Sequence, residues 1–183
     1  LFTPSQFSQM SEPPNRYQIA LVGNSCAGKT AILCRLANAE FNNLPTVTLD
    51  FKSFIYQHDQ ENIRFSIFDT PGVHRFKDII MEHLVHFVGI VLVFDLTNRE
   101  SFNELTWWLD IIKSRSPPNI TLALVGNKSD LIDSRVISRA EAEEFAQQHN
   151  MIYLETSAET GENIETIFQR LAQRILQQPH ESS

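Results

Sequence analysis

A chain of 183 residues that is 42% hydrophobic and 20% charged has the size and balance of one globular domain with a sizeable core. Its net charge of −7 argues against non-specific nucleic-acid binding, which needs a basic surface. No apolar run approaches the ~20 residues that span a bilayer, no secretory signal is visible, and two cysteines, Cys26 and Cys34, form no disulfide framework and fit a reducing cytosol.

Residues 1–15 are polar, carry Pro4, Pro13 and Pro14, and show no helical or strand period, so they read as a disordered lead. Tyr17–Val22 is the first predicted strand. It runs into Gly23-Asn24-Ser25-Cys26-Ala27-Gly28-Lys29-Thr30, a G-x-x-x-x-G-K-[ST] string, and a helix is predicted over 29–38. Ala39–Val47 is a polar loop. Leu49–His58 and Ile63–Phe68 alternate apolar and polar residues around Asp59-Gln60-Glu61-Asn62, which predicts a hairpin and hence one antiparallel strand. Asp69–Gly72 is a turn, and Phe76, Ile79, Ile80, His83, Leu84 and Phe87 form a helical stripe. Ile90–Phe94 and Leu122–Val125 are fully apolar, as central buried strands are. Between them Leu105, Trp108, Leu109 and Ile112 mark a helix that Pro117-Pro118 ends. Ser138 and Glu141 predict a capping box, Met151–Leu154 the last strand, and Ile164 to Ile175 the last helix, ahead of a polar tail. Strands alternating with helices predict a doubly wound α/β sheet.

Each chemistry-bearing stretch falls at the carboxyl end of a predicted strand, where an open α/β sheet has its ligand crevice. In the glycine loop, the N–H groups of Ser25, Cys26, Ala27, Gly28, Lys29 and Thr30 can line one concavity at a helix N-terminus and hold phosphates. Lys29 can reach the outer phosphates, and the Thr30 hydroxyl can bind Mg²⁺. At the second stretch, Asp69 can hold a Mg²⁺ water and the Gly72 N–H can approach a γ-phosphate. At the third, Asp130 can accept two parallel bonds from guanine, which adenine does not offer. A site built for such bonds rejects the wrong base strongly. Lys128 can lie along the base, and the Asn127 amide can tie the loop together. At the fourth, the N–H groups of Ser157 and Ala158 can donate to guanine O6.

With these four stretches in place the chain resembles a small GTPase of the Ras superfamily, most closely its Rab branch. Further strings carry the resemblance: Asp50-Phe51-Lys52, Arg75-Phe76, Phe94-Asp95-Leu96-Thr97-Asn98 and Glu155-Thr156-Ser157-Ala158 followed by Thr160-Gly161-Glu162-Asn163. The resemblance implies an α/β P-loop small G-domain over residues 16–177, with a six-stranded mostly parallel sheet, one antiparallel strand and five helices. It implies GTP and GDP as ligands, Mg²⁺ as cofactor and a monomeric switch. Effectors, exchange factors and GTPase-activating proteins would act through the switch regions, in vesicle or membrane trafficking. Thr46 would close on Mg²⁺ and the γ-phosphate, and Thr46 and Gly72 would release on hydrolysis.

Departures from the pattern carry their own expectations. Val73 stands where the family usually has the glutamine that orients the attacking water, so GTP hydrolysis by Lys29, Thr46 and Gly72 is expected to be slow. A non-hydrolysing guanine-nucleotide scaffold is the alternative. Asp69 to His74 also resembles Era-like GTPases, which have an apolar residue at this position, and His74 is a candidate for positioning water. The effector patch would be Phe51, Phe68 and His83. No cysteine lies near the end of the chain, so no prenylation signal is encoded here. The expected location is cytoplasmic, at the face of an endomembrane in a longer protein.

Overall fold

The computed structural model describes residues 17–37, 50–70 and 83–178. Expectations for the lead over 1–15, for Thr46, Gly72, Val73 and His74, for the helical stripe over 76–82 and for residues 179–183 lie outside them.

Six strands form one sheet in the order β2-β3-β1-β4-β5-β6: β1 (Tyr17–Val22), β2 (Asp50–His58), β3 (Glu61–Asp69), β4 (Gly89–Asp95), β5 (Thr121–Asn127) and β6 (Ile152–Thr156). Only the β2–β3 pair is antiparallel, as the alternation over 49–68 predicts. The hairpin is tighter than the four-residue connection read from the sequence. Asp59 (φ 46°) and Gln60 (φ 71°) make the whole turn, and pairing continues to His58 opposite Glu61. Two successive positive-φ residues match the right-handed twist of the flanking strands.

Five α-helices occur among the described residues: α1 (Lys29–Leu36), α2 (Arg99–Asn103), α3 (Leu105–Arg115), α4 (Arg139–Gln148) and α5 (Ile164–Gln177). The Asn98 side chain caps α2 by accepting from the N–H groups of Glu100 and Ser101. Only half of the predicted capping box at α4 forms. Ser138 Oγ accepts from the Glu141 N–H at 3.2 Å, but the Glu141 carboxylate turns outward to Arg99. The described end of the stripe over 76–87 is a 3₁₀ turn, Leu84–His86, with Leu84 and Phe87 buried.

Alternation within the strands divides the core in two. Ile19, Leu21, Val91, Val93 and Phe65 face α1 and α5, packing on Ile32, Leu33, Phe168 and Leu171. Ala20, Val22, Ile90, Leu92 and Phe94 face the other way, onto Phe102, Leu105, Trp108, Leu109 and Ala142 of α2–α4. Helices on both faces bury the central strands β1, β4 and β5, whereas the β2–β3 hairpin exposes Ser53, Ile55, Gln57 and Arg64. The carboxyl ends of β1, β3, β5 and β6 carry the four motifs.

Candidate nucleotide site

The glycine loop is folded by close contacts rather than by permissive turns. Gly23 lies at φ 141°, and a Cβ there would come within 2.1 Å of the Val93 carbonyl oxygen on the next strand. Gly28 lies at φ 96°, and its Cβ would come within 2.1 Å of Asn127 Nδ2. So the second glycine is required by a residue of a different motif, as well as by any anion in the loop. Cys26, a non-glycine residue, sits in the left-handed region at φ 64°. Ser25 and Cys26 are exposed, whereas Ala27 is buried.

Lys29 is only 5% exposed. Its Nζ donates to the carbonyl oxygens of Gly23 and Asn24, both at 2.8 Å, so the ammonium is held across the mouth of its own loop. Burial pulls it down to about 8, against the raising influence of Asp69 and Cys26. A phosphate in the loop would add to the partial counter-charge that Asp69 gives this lysine. Thr30 Oγ1 donates to Asp69 Oδ2 at 2.5 Å, and Asp69 is fully buried. A hydroxyl and a carboxylate oxygen, side by side at the head of a phosphate-binding helix, are the hard donors Mg²⁺ takes alongside phosphate oxygens and water, so these residues fit that ion. Next to Asp69, Thr70 donates to the Leu21 carbonyl at 2.6 Å, fixing the end of β3 against β1.

The base-recognition stretches are tied to the phosphate loop through Asn127, which is 1% exposed. Its Nδ2 donates to the Ala27 carbonyl at 3.0 Å, and its Oδ1 accepts from Thr156 Oγ1 at 3.1 Å. One side chain thus joins three of the four motifs. Lys128 adopts φ 67°, and its Nζ pairs with Asp95 Oδ2 at 2.6 Å, which stretches the stem across the site. Asp130 is exposed, with Oδ1 accepting from Ser157 Oγ at 2.6 Å. The Ser157 N–H donates to the Glu162 carbonyl at 3.2 Å, and the Ser157 hydroxyl holds Asp130.

Of the expected effector patch, Phe51 is 38% exposed, but Phe68 is buried beneath it, the two rings stacking at 5.4 Å. His83 is half-buried beside His86.

Further supporting contacts come from outside the four motifs. Trp108 Nε1 donates to Asn24 Oδ1 at 2.8 Å, reaching the phosphate loop from α3. Arg35 Nε donates to the Ala158 carbonyl at 2.8 Å. Arg135 grips Glu155 with two N–H groups, at 2.9 and 2.6 Å, joining the segment after Asp130 to the strand before Ser157. Asp95 receives Lys128 and also accepts from the Thr97 N–H and hydroxyl. The sequence shows Asp95 and Glu155 only as members of longer strings, and gives no sign of their partners.

Comparison with known proteins agrees with this geometry. The Ras family model matches residues 18–177. The chain is 35% identical to the Ras-related protein Rab-4 of Dictyostelium discoideum over 91% of its own length and 82% of that protein's. It is 36% identical to the Ras-related protein Rab-1 of Theileria annulata, over 91% and 77% of the two chains. It is also 36% identical to the Ras-related protein Rab-10 of Caenorhabditis elegans, over 87% and 81%.

Proposed function

The chain belongs to the Ras family as a Rab-like small GTPase, and on that premise we propose that it is a GTP/GDP switch with slow intrinsic hydrolysis that acts in membrane trafficking. The observation that carries this reading is the Asn127 bridge, which holds the phosphate loop and the guanine-recognition loops in one unit.

In this mechanism Lys29 and the N–H groups from Ser25 to Thr30 neutralise the phosphates. Thr30, Asp69 through a water, and Thr46 would hold Mg²⁺, which when bound supplies charge stabilisation at the phosphate oxygens. The Gly72 N–H would contact the γ-phosphate. Asp130 and the Ala158 N–H select guanine, and Lys128 lies along the base. Catalysis of this kind is mostly positioning and charge stabilisation. Val73 has no polar atom with which to orient a water, so its position is where the rate falls short. A partner could supply the missing group in trans.

Effectors, exchange factors and GTPase-activating proteins would meet the switch regions of a monomeric G-domain spanning 16–177. The site of action would be the cytoplasmic face of an endomembrane. None of the described helices is long and apolar enough to cross a membrane.

The test is to identify the nucleotide released on denaturation, then follow a single turnover of loaded GTP in the wild type and in Val73→Gln. Bound guanine nucleotide, slow turnover and acceleration by the substitution support the reading. Turnover as fast as in a glutamine-bearing relative overturns the slow-hydrolysis part. Retained GTP with no turnover in either protein favours the non-hydrolysing scaffold, the reading that Val73 also motivates.

A further inference from the structure

A second polar cavity lies at the opposite pole of the sheet. β5 leads from Thr121, in this cavity's wall, to Asn127 in the nucleotide site, so the two are separated by about 20 Å of strand. The cavity measures about 330 Å³, between the end of α3, the loop into β5, the end of α4 and the last turn of α5.

Its charge is the reverse of the molecule's. In a chain of net charge −7, the lining holds Lys113, His149 and Arg174 and no carboxylate. Here the Lys113 ammonium meets His149 Nδ1 at 3.4 Å, and Arg174 Nη2 donates to Asn150 Oδ1 at 2.7 Å. Neither has a carboxylate partner among the described residues. The bond to Asn150 occupies one guanidinium nitrogen and leaves the other N–H groups of Arg174 unspent. Burial and the Lys113 ammonium hold His149 below the usual imidazole range, against Asp110, so its Nδ1 can accept from Lys113 at neutral pH. Ser116 Oγ, also in the wall, is buried and makes no hydrogen bond among the described residues. A buried hydroxyl without a partner is costly unless a ligand or water completes it. Around these groups stand neutral polar side chains: Asn119, Asn150 and Gln178, whose Nε2 donates to Thr121 Oγ1 at 2.9 Å.

Two cations without a carboxylate partner among the described residues suit a phosphate, and surrounding amides suit hydroxyl groups. The volume exceeds what a bare phosphate fills. We propose that this cavity is a second anion site, taking a phosphate carried on a small polyhydroxylated group, either as a soluble phosphorylated polyol or as the headgroup of a phosphorylated lipid. The site is independent of guanine recognition and would operate with the nucleotide site filled.

The test uses ¹⁵N-labelled protein loaded with GDP and Mg²⁺, so that phosphate capture by the first site does not contribute. Inorganic phosphate and inositol trisphosphate are titrated while amide shifts are followed. Sedimentation with phosphatidylcholine vesicles, with and without a few mole per cent of phosphatidylinositol phosphate, forms the second arm. Saturable shifts centred on Ser116, Asn150 and Arg174 are expected, with Lys113→Gln and Arg174→Gln each weakening binding about tenfold, the worth of one charge-assisted hydrogen bond. Lys113 is an exposed side chain, so its variant keeps the fold, and an unchanged melting midpoint verifies both variants. Binding of the trisphosphate without the lipid-bearing vesicles identifies a soluble ligand. Binding of lipid-bearing but not plain vesicles, lost in both variants, identifies a headgroup. No saturable response to any probe, or binding that both variants leave undiminished, overturns the proposal.

Discussion

The Asn127 side-chain amide donates to the Ala27 carbonyl at 3.0 Å and lies where a Cβ on Gly28 would have to go. The glycine loop and the Asn127–Asp130 loop therefore meet at a single atom, Asn127 Nδ2. Asn127→Ala would leave the Ala27 carbonyl and the Thr156 hydroxyl without this partner. Each buried group so orphaned costs about 1–3 kcal/mol. The expected result is a nucleotide-free protein less stable by about 2 kcal/mol in urea titration, and release of bound GDP at least tenfold faster by stopped flow. Gly28→Ala should fail in the same two assays, because it forces the same contact apart and places an L-residue at φ 96°.

Asp130 is held by the Ser157 hydroxyl at 2.6 Å, a bond that takes one lone pair of Oδ1 and leaves both oxygens able to accept from the base. Asp130→Asn turns an acceptor into a donor opposite the guanine 2-amino group. Guanine nucleotide affinity should fall by about a hundredfold or more, given the penalty of mismatched polar groups in a built site. Xanthine nucleotides, which present an oxygen there, should gain affinity. Competition against a fluorescent GDP analogue measures both. Equal affinity for GDP and XDP in the wild type would remove Asp130 from the recognition argument.

The Trp108 indole reaches Asn24 from α3 at 2.8 Å, and the Asn24 backbone carbonyl receives Lys29. Trp108→Phe keeps most of the apolar volume and deletes the donor. Its cost in stability should be about 1 kcal/mol for one hydrogen bond, with nucleotide release faster severalfold. The wild-type tryptophan emission should also change when GDP is stripped with a chelator, and Trp107→Phe should preserve that change.

Much of this site was legible in the sequence because its chemistry is local. Tyr17–Val22, the string from Gly23 to Thr30, Asp69 and Asn127–Asp130 each need only a strand end and a few adjacent residues, and the structure brings these together. The supports were not legible because each is a pairing across distance. Nothing in the run of α3 says that Trp108 will meet a residue 84 positions earlier. Arg35 looks like any polar-face arginine until it reaches Ala158. Local competition misled as well. Ser138 and Glu141 have capping-box spacing, but Arg99 offers the Glu141 carboxylate a charged partner, and a charge-assisted bond outweighs a bond to one backbone N–H. The Ser157 N–H meets the Glu162 carbonyl, a contact set by the loop's closure that its motif does not show.

Arg135 and Glu155 supply the pH test. Burial pushes the Glu155 carboxyl up, but the two Arg135 hydrogen bonds and the Tyr153 hydroxyl at 3.0 Å outweigh it, so the group titrates below its ordinary value of 4.5. Tyr153 is correspondingly pushed up by burial and by the Glu155 charge. A carboxylate depressed in the folded state contributes stability that is present above its unfolded value and is lost as pH falls through the folded one. Arg135→Gln should therefore destabilise the protein by about 1–3 kcal/mol at neutral pH, and the gap from wild type should shrink as pH is lowered below 4.5. Other carboxylates titrate in both proteins and cancel in the difference. Because the pair ties the segment after Asp130 to the strand before Ser157, the same variant should release GDP severalfold faster at neutral pH. Urea titrations of both proteins at several pH values read the first effect. A gap that stays constant down to the acid limit would mean that Arg135 acts through its bond to the Ile137 carbonyl at 2.6 Å and not through Glu155.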